Sequence, residues 1–207
     1  LPANRNYHYD YYRDNCSTRV RDALDRVLGG RIRAATAGIP SGTTYRFHTA
    51  RLTSSEPLVY TGLMLGLGEP VDRPISAYEE MFLPLALRTE IRSITVPGPD
   101  GAMVPLVAAE DTVYLSTAAS PPAAPPSWFL AYLALGLVIG GAMVLLGRGA
   151  GSSGAARWAL AIVGTLWGLV AGLAGTVLAG LLAFTDHTAA YANENLFQYN
   201  PIALALV

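Results

Sequence analysis

The chain has 207 residues, 52% hydrophobic and only 14% charged, with a formal net charge of −1. That balance excludes a nucleic-acid partner held by bulk electrostatics, and the single cysteine, Cys16, excludes a disulfide framework or a cysteine-built zinc cluster. Residues 113–207 carry only Arg148, Arg157, Asp186 and Glu194 as charges, so the expected class is a membrane protein with a polar N-terminal domain. The chain starts at Leu1 and stops at Val207 inside an apolar run, which reads as a fragment truncated at both ends.

In residues 7–12, Tyr-His-Tyr-Asp-Tyr-Tyr, Tyr7, Tyr9 and Tyr11 alternate, which predicts a short strand or extended segment. A helix follows over 19–28. Val20, Leu24, Val27 and Leu28 are spaced as one apolar stripe, expected to face the core. Asp14 or Asn15 can cap its start, and Gly29-Gly30 suits its end. Arg21–Asp25 and Asp22–Arg26 then pair on the wet face.

Cys16 falls in the first turn of this helix. Unpaired N–H groups and the dipole at a helix start favour a thiolate, so the sole cysteine is a candidate nucleophile for acyl transfer. The competing reading is a small apolar residue packed beneath the strand. A thiol nucleophile also needs a base. His8 lies on the strand face opposite the tyrosines, and His48 reads more readily as a surface or packing residue.

Residues 57–67 form an apolar helix ending at Gly66-Leu67-Gly68, and a second helix runs over 75–92. Ser76 and Glu79 make a capping box at its start, Tyr78, Met81, Phe82 and Leu85 its buried stripe, and Pro84 an interruption. Residues 91–96 and 103–107 read as a strand pair around the turn Pro97-Gly98-Pro99-Asp100-Gly101. No glycine-rich phosphate loop, H-E-x-x-H or G-x-S-x-G is present.

The proline-rich stretch 120–127 is a stiff connector between a domain over 1–119 and a transmembrane domain over 128–207. Residues 128–147 and 158–184 are uncharged and apolar enough to cross about 30 Å of hydrocarbon, and a third span is expected to start at 201. Gly164, Gly168 and Gly172 place small residues on one helix face, which permits close approach. The loop between the spans holds both arginines of this half and is therefore cytoplasmic by the positive-inside rule. Cys16 and the loop 185–200 then share the outer side. That loop crowds Asp186, His187, Asn193, Glu194, Asn195 and Asn200 beside Tyr191, Phe197 and Tyr199. His187, Asn193 and Asn195 are expected to bind a lipid headgroup or an incoming amine at the membrane side of the site, and Asn15 to bind substrate beside the thiol. The competing reading of the loop is an interfacial segment whose Asn residues cap helices and whose aromatics sit at headgroup level.

Three segments in order carry a resemblance: Tyr9-Asp10-Tyr11-Tyr12-Arg13-Asp14-Asn15-Cys16-Ser17-Thr18, then Leu67-Gly68-Glu69-Pro70-Val71-Asp72-Arg73-Pro74 with Glu79-Glu80-Met81-Phe82-Leu83-Pro84, then Thr185-Asp186-His187 with Asn193-Glu194-Asn195-Leu196-Phe197. Together they resemble the Lnb family of bacterial lipoprotein N-acyltransferases. The resemblance implies an α+β periplasmic domain, part of a permuted NlpC/P60 papain-like fold, followed by transmembrane helices in the bacterial inner membrane. It implies that Cys16 takes an acyl chain from a phospholipid and passes it to the α-amine of a lipoprotein, with the catalytic histidine in a strand before Leu1. No metal or diffusible cofactor is implied. The alternatives are a membrane-anchored cysteine peptidase or amidase of the cell envelope, and a non-enzymatic envelope scaffold.

Overall fold

The structure, a computed structural model, describes residues 7–206; residues 1–6 and 207, the outermost positions of the two expected domains, lie outside the described residues. The chain divides into two compact units, Leu1–His48 with Arg73–Pro121, and Thr49–Asp72 with Pro122–Val207. The later boundary falls inside the proline-rich stretch. Residues 49–72, which lie between the two segments of the first unit in sequence and include the apolar run 57–67, pack with the apolar half.

The segment 7–12, expected as a strand or extended stretch, turns back on itself after Asp10. The Asp10 carboxylate accepts from the backbone N–H groups of Tyr12 and Arg13, both at 2.8 Å. Asp10 and Asp14 then exchange two backbone hydrogen bonds. An aspartate that satisfies its own downstream amides folds the chain back before a strand can propagate.

Helix α1 (Cys16–Val27) follows, capped by Asn15 and closed by Gly29 and Gly30 at φ +65° and +83°. Its orientation reverses the periodicity reading. Val20 is 52% and Val27 85% exposed, whereas Ser17, Thr18, Arg21 and Asp25 are buried. The reason lies in helix α5 (Ala77–Glu80), which ends after one turn and leaves carbonyls without helical partners. Arg21 donates to the Tyr78 carbonyl at 2.9 Å, Ser17 to Met81 at 2.8 Å and Asn15 to Phe82 at 3.0 Å. A buried carbonyl left without a donor costs about 1–3 kcal/mol, so the polar face of α1 turns inward. The expected i,i+4 ion pairs give way to Arg21–Asp22 at 2.7 Å and to Asp25 accepting from the Arg33 N–H at 3.0 Å.

The core of this unit gathers Ile32 of α2 (Arg31–Thr36) with Tyr78, Met81, Leu87 and Ile94. Arg21 and Arg33 both stack on the Tyr78 ring, at 3.9 and 4.3 Å from its centroid. The capping box at Ser76 and Glu79 forms as read. Pro84 starts a separate helix, α6 (Pro84–Ser93), where its missing N–H is no loss. Leu85, expected in the buried stripe, is exposed because that break changes the helix phase. Strands β1 (Pro40–Thr44) and β2 (Pro74–Ser76) pair antiparallel, with a register shift that Gly42 at φ +75° accommodates. Strands β3 (Thr95–Pro97) and β4 (Met103–Pro105) pair around the expected turn.

In the second unit α4 (Pro57–Gly66) joins two long helices, α7 (Phe129–Gly149) and α8 (Gly154–Phe184). Helix α3 (Tyr45–Leu52) links the units in sequence. Both α7 and α8 are long and apolar enough to cross a membrane. Ser153 caps α8, which begins four residues before the apolar run that marked it. The segment Pro201–Leu206, where a third span was expected to start, is a 3-10 helix laid along α8. It fills the small-residue face. A Cβ at Gly172 would lie 2.6 Å from Leu204, and one at Gly175 would overlap Tyr199 and Asn200.

Candidate functional site

Cys16 is exposed at the N1 position of α1. That answers the question of a packed core thiol: the side chain is open to the outside. The turn holding it is fixed from below. The Asn15 side-chain oxygen Oδ1 accepts from Thr18 N–H at 2.9 Å, while Thr18 Oγ1 accepts from Asn15 N–H at 2.8 Å. Both Asn15 amide hydrogens are donated, to Tyr11 and Phe82 carbonyls, each at 3.0 Å. Asn15 therefore acts on Cys16 by position, tying its turn to a segment 67 residues away. Asp14, the other capping candidate, pairs instead with Arg19.

Behind this turn lies an aromatic group. The Tyr12 and Tyr45 rings are 4.6 Å apart, and Phe82 meets both edge-on at 5.5 and 5.3 Å. Burial pushes the Tyr45 hydroxyl pKa up, and the nearby Glu79 charge adds to the rise. Glu79 is itself held down to about 2, first by its hydrogen bond from Arg73 and also by the Ser76 N–H. Burial pushes the Tyr78 hydroxyl up, helped by its hydrogen bond to Asp22 at 2.8 Å.

His48, which sequence reasoning left as a surface or packing residue, is 3% exposed and built into a polar network. Its Nε2 lies 2.8 Å from Glu80 and 2.9 Å from Thr43 Oγ1. Thr43 also bonds Ser41 at 2.7 Å, and Ser41 donates to the Ile75 carbonyl. The same imidazole nitrogen faces both the acid and the hydroxyl. Thr43 of β1, His48 of α3 and Glu80 of α5 are tied together by it, since Thr43 also donates to Glu80 at 3.2 Å. His8 is exposed. Among the described residues no group of three or more His, Cys, Asp and Glu could hold a metal ion.

The loop residues belong to the second unit. His187 is exposed and precedes a 3-10 turn over Thr188–Ala190, with its N–H donated to Thr185 Oγ1 at 3.3 Å. Asn193 and Asn195 converge on one atom: both donate to the Leu65 carbonyl, at 2.8 and 3.0 Å. That carbonyl ends α4, where the last four acceptors lack helical donors. The two asparagines thus cap α4 from 128 and 130 residues away. Gly68 makes the approach possible. Its N–H donates to the Ala189 carbonyl at 2.8 Å, and a Cβ there would overlap the Tyr191 carbonyl.

Residues 1–53 match the family model of the Lnb N-terminal periplasmic domain. The match contains Asn15, Cys16 and all of α1. No curated protein and no solved structure matches the chain. A periplasmic N-terminal domain and two helices able to cross a bilayer are the parts of a membrane protein of the cell envelope.

Proposed function

We propose that the protein is a membrane-bound, cysteine-dependent acyltransferase that moves a fatty acyl chain from a phospholipid to the α-amine of a lipoprotein in the inner membrane. The observation that carries the reading is Cys16, exposed on a braced first turn of α1 within the segment matching the periplasmic domain. In the first half-reaction the thiolate sulfur adds to the ester carbonyl. The tetrahedral intermediate expels the lysophospholipid alkoxide, which takes up a proton, and a thioester remains. In the second, the neutral amine adds to the thioester carbonyl, gives up a proton and expels the thiolate, leaving an amide. A base serves both halves. The backbone N–H of Cys16 itself is a donor suited to the developing oxyanion. The finer fold assignment, a permuted papain-like domain, belongs to this same proposal.

Intact-mass measurement of the full-length protein mixed with phospholipid vesicles tests it. An acyl adduct on Cys16 with lysophospholipid release is expected, and Cys16→Ala should abolish both. Full transfer by a folded Cys16→Ala protein overturns the reading, and peptide release from peptidoglycan with no lysophospholipid replaces it by an amidase.

A further inference from the structure

The second unit holds an open trough. Tyr132, Leu135, Gly136, Ile139, Gly140 and Met143 follow one another at helix spacing along a single face of α7. They form one wall of a cleft of about 650 Å³, closed on its other sides by α4, Trp167 of α8 and the loop carrying Asn195 and Tyr199. The glycines of the two long helices have different reasons to be there. Gly172 and Gly175 leave room for the chain at 199–204, and a Cβ at either would collide with it. A Cβ at Gly136 or Gly140 would meet nothing within 4 Å. No neighbouring segment requires these two; their effect is to deepen the trough.

The cleft also has a direction. At the beginning of α7, Tyr132 shares a hydrogen bond of 2.7 Å with Thr61, whose own hydroxyl also reaches the Pro57 carbonyl. Asn195 gives one amide hydrogen to Leu65 and has a second to offer. Toward Met143 the α7 wall is wholly apolar. The α7 stretch 132–143 rises roughly 16 Å at 1.5 Å per residue, about half of a hydrocarbon core of roughly 30 Å. An apolar trough about one leaflet deep, its α7 wall polar at the Tyr132 end alone, has the dimensions and polarity of a lipid chain below its ester.

We propose that this cleft binds one acyl chain of a membrane phospholipid, laid along α7 from Tyr132 to Met143 with its ester at the Thr61, Tyr132 and Asn195 end. Moving a chain from bilayer to cleft gains no hydrophobic transfer, since lipid tails are as apolar as leucine. Selectivity comes from the fit along Gly136 and Gly140 and from hydrogen bonds to the ester oxygens in a low-dielectric setting. The site rests on the second unit alone and needs no chemistry at Cys16, so it stands or falls separately from the acyl-transfer reading.

Native mass spectrometry of the full-length protein, exchanged against vesicles of phosphatidylethanolamine and phosphatidylglycerol, is the test. Wild type should retain one phospholipid. Gly140→Phe places a ring in the trough and should lower occupancy about tenfold, with unchanged thermal unfolding in detergent. Leu137→Phe, on the exposed face of α7 at 68% exposure, should retain the lipid. If Gly140→Phe does not fold, wild type is labelled in the same vesicles with a phospholipid bearing a photoreactive acyl chain, and adducts at Ile139 and Met143 should exceed those at Val138 about tenfold. No retained lipid in wild type, equal retention in Gly140→Phe, or equal labelling at Val138 overturns the proposal.

Discussion

Helices α1 and α8 both expose large apolar side chains and bury mainly small or polar ones, but for opposite reasons. In α8 the buried residues are Gly168, Ala171, Gly172, Gly175 and Leu178, while Leu166, Val170, Leu173 and Val177 face outward. An outward leucine in a membrane helix loses nothing against lipid, and the small face gains close packing. In α1 the buried residues are hydrogen-bonding groups that answer the carbonyls of Tyr78, Met81 and Phe82. Its outward Val20, Leu24 and Val27 are what remains once that demand is met. Packing space organises α8; hydrogen-bond demand organises α1.

Substitutions can break that contrast. The largest effect is expected at Gly172→Leu, because a Cβ there already lies 2.6 Å from Leu204; overpacking should cost about 3 kcal/mol, read as lost thermal stability in detergent. Gly164→Leu, in open space, should stay within about 0.5 kcal/mol of wild type. Arg21→Ala comes next. It strips the Tyr78 carbonyl of its donor and the Tyr78 ring of one cation, and should destabilise the protein by about 2–3 kcal/mol in denaturant titration. Asn15→Ala should cost about 2 kcal/mol through the lost cap and the unpaired Phe82 carbonyl. It should also depress acyl transfer, since the Cys16 turn loosens.

A smaller effect is electrostatic. Glu79 has its folded pKa lowered to about 2 from 4.5, chiefly by Arg73. Because the folded value lies below the unfolded one, this contribution to stability is complete above about pH 4.5 and disappears as the pH falls toward about 2. Arg73→Ala should flatten stability across that window, measured by unfolding at about pH 5 and about pH 3. The smallest effect is expected from Val27→Ser at the exposed end of the α1 stripe: a change within about 0.5 kcal/mol. A loss of about 2 kcal/mol there would show that the stripe is covered, and the contrast with α8 would fail.

Local signals were readable wherever the group and its partner are near in sequence. The Ser76–Glu79 capping box, the Gly29-Gly30 stop, the hairpin around Pro97 to Gly101 and Cys16 at a helix start all join residues a few positions apart. Strand β1 went unseen because Pro40-Ser41-Gly42-Thr43-Thr44 has turn chemistry, and only its partner Pro74–Ser76 makes it a strand. The loop asparagines were legible as a polar cluster. Their target, the Leu65 carbonyl, was not. His48 shows the same limit, since nothing in Tyr45-Arg46-Phe47-His48 announces Glu80.

The sequence by itself determined two helices long and apolar enough to span a bilayer, the proline-rich stretch before them, and a lone thiol at a capped helix start. Run length, missing charges and capping chemistry are properties of adjacent residues and survive in any tertiary setting. The tertiary structure alone decided which face of α1 is buried, which glycines pack and which leave a trough, and what the loop asparagines hold. Each of those depends on an unsatisfied carbonyl or an empty volume contributed by a distant segment, and hydrophobic periodicity carries no trace of either.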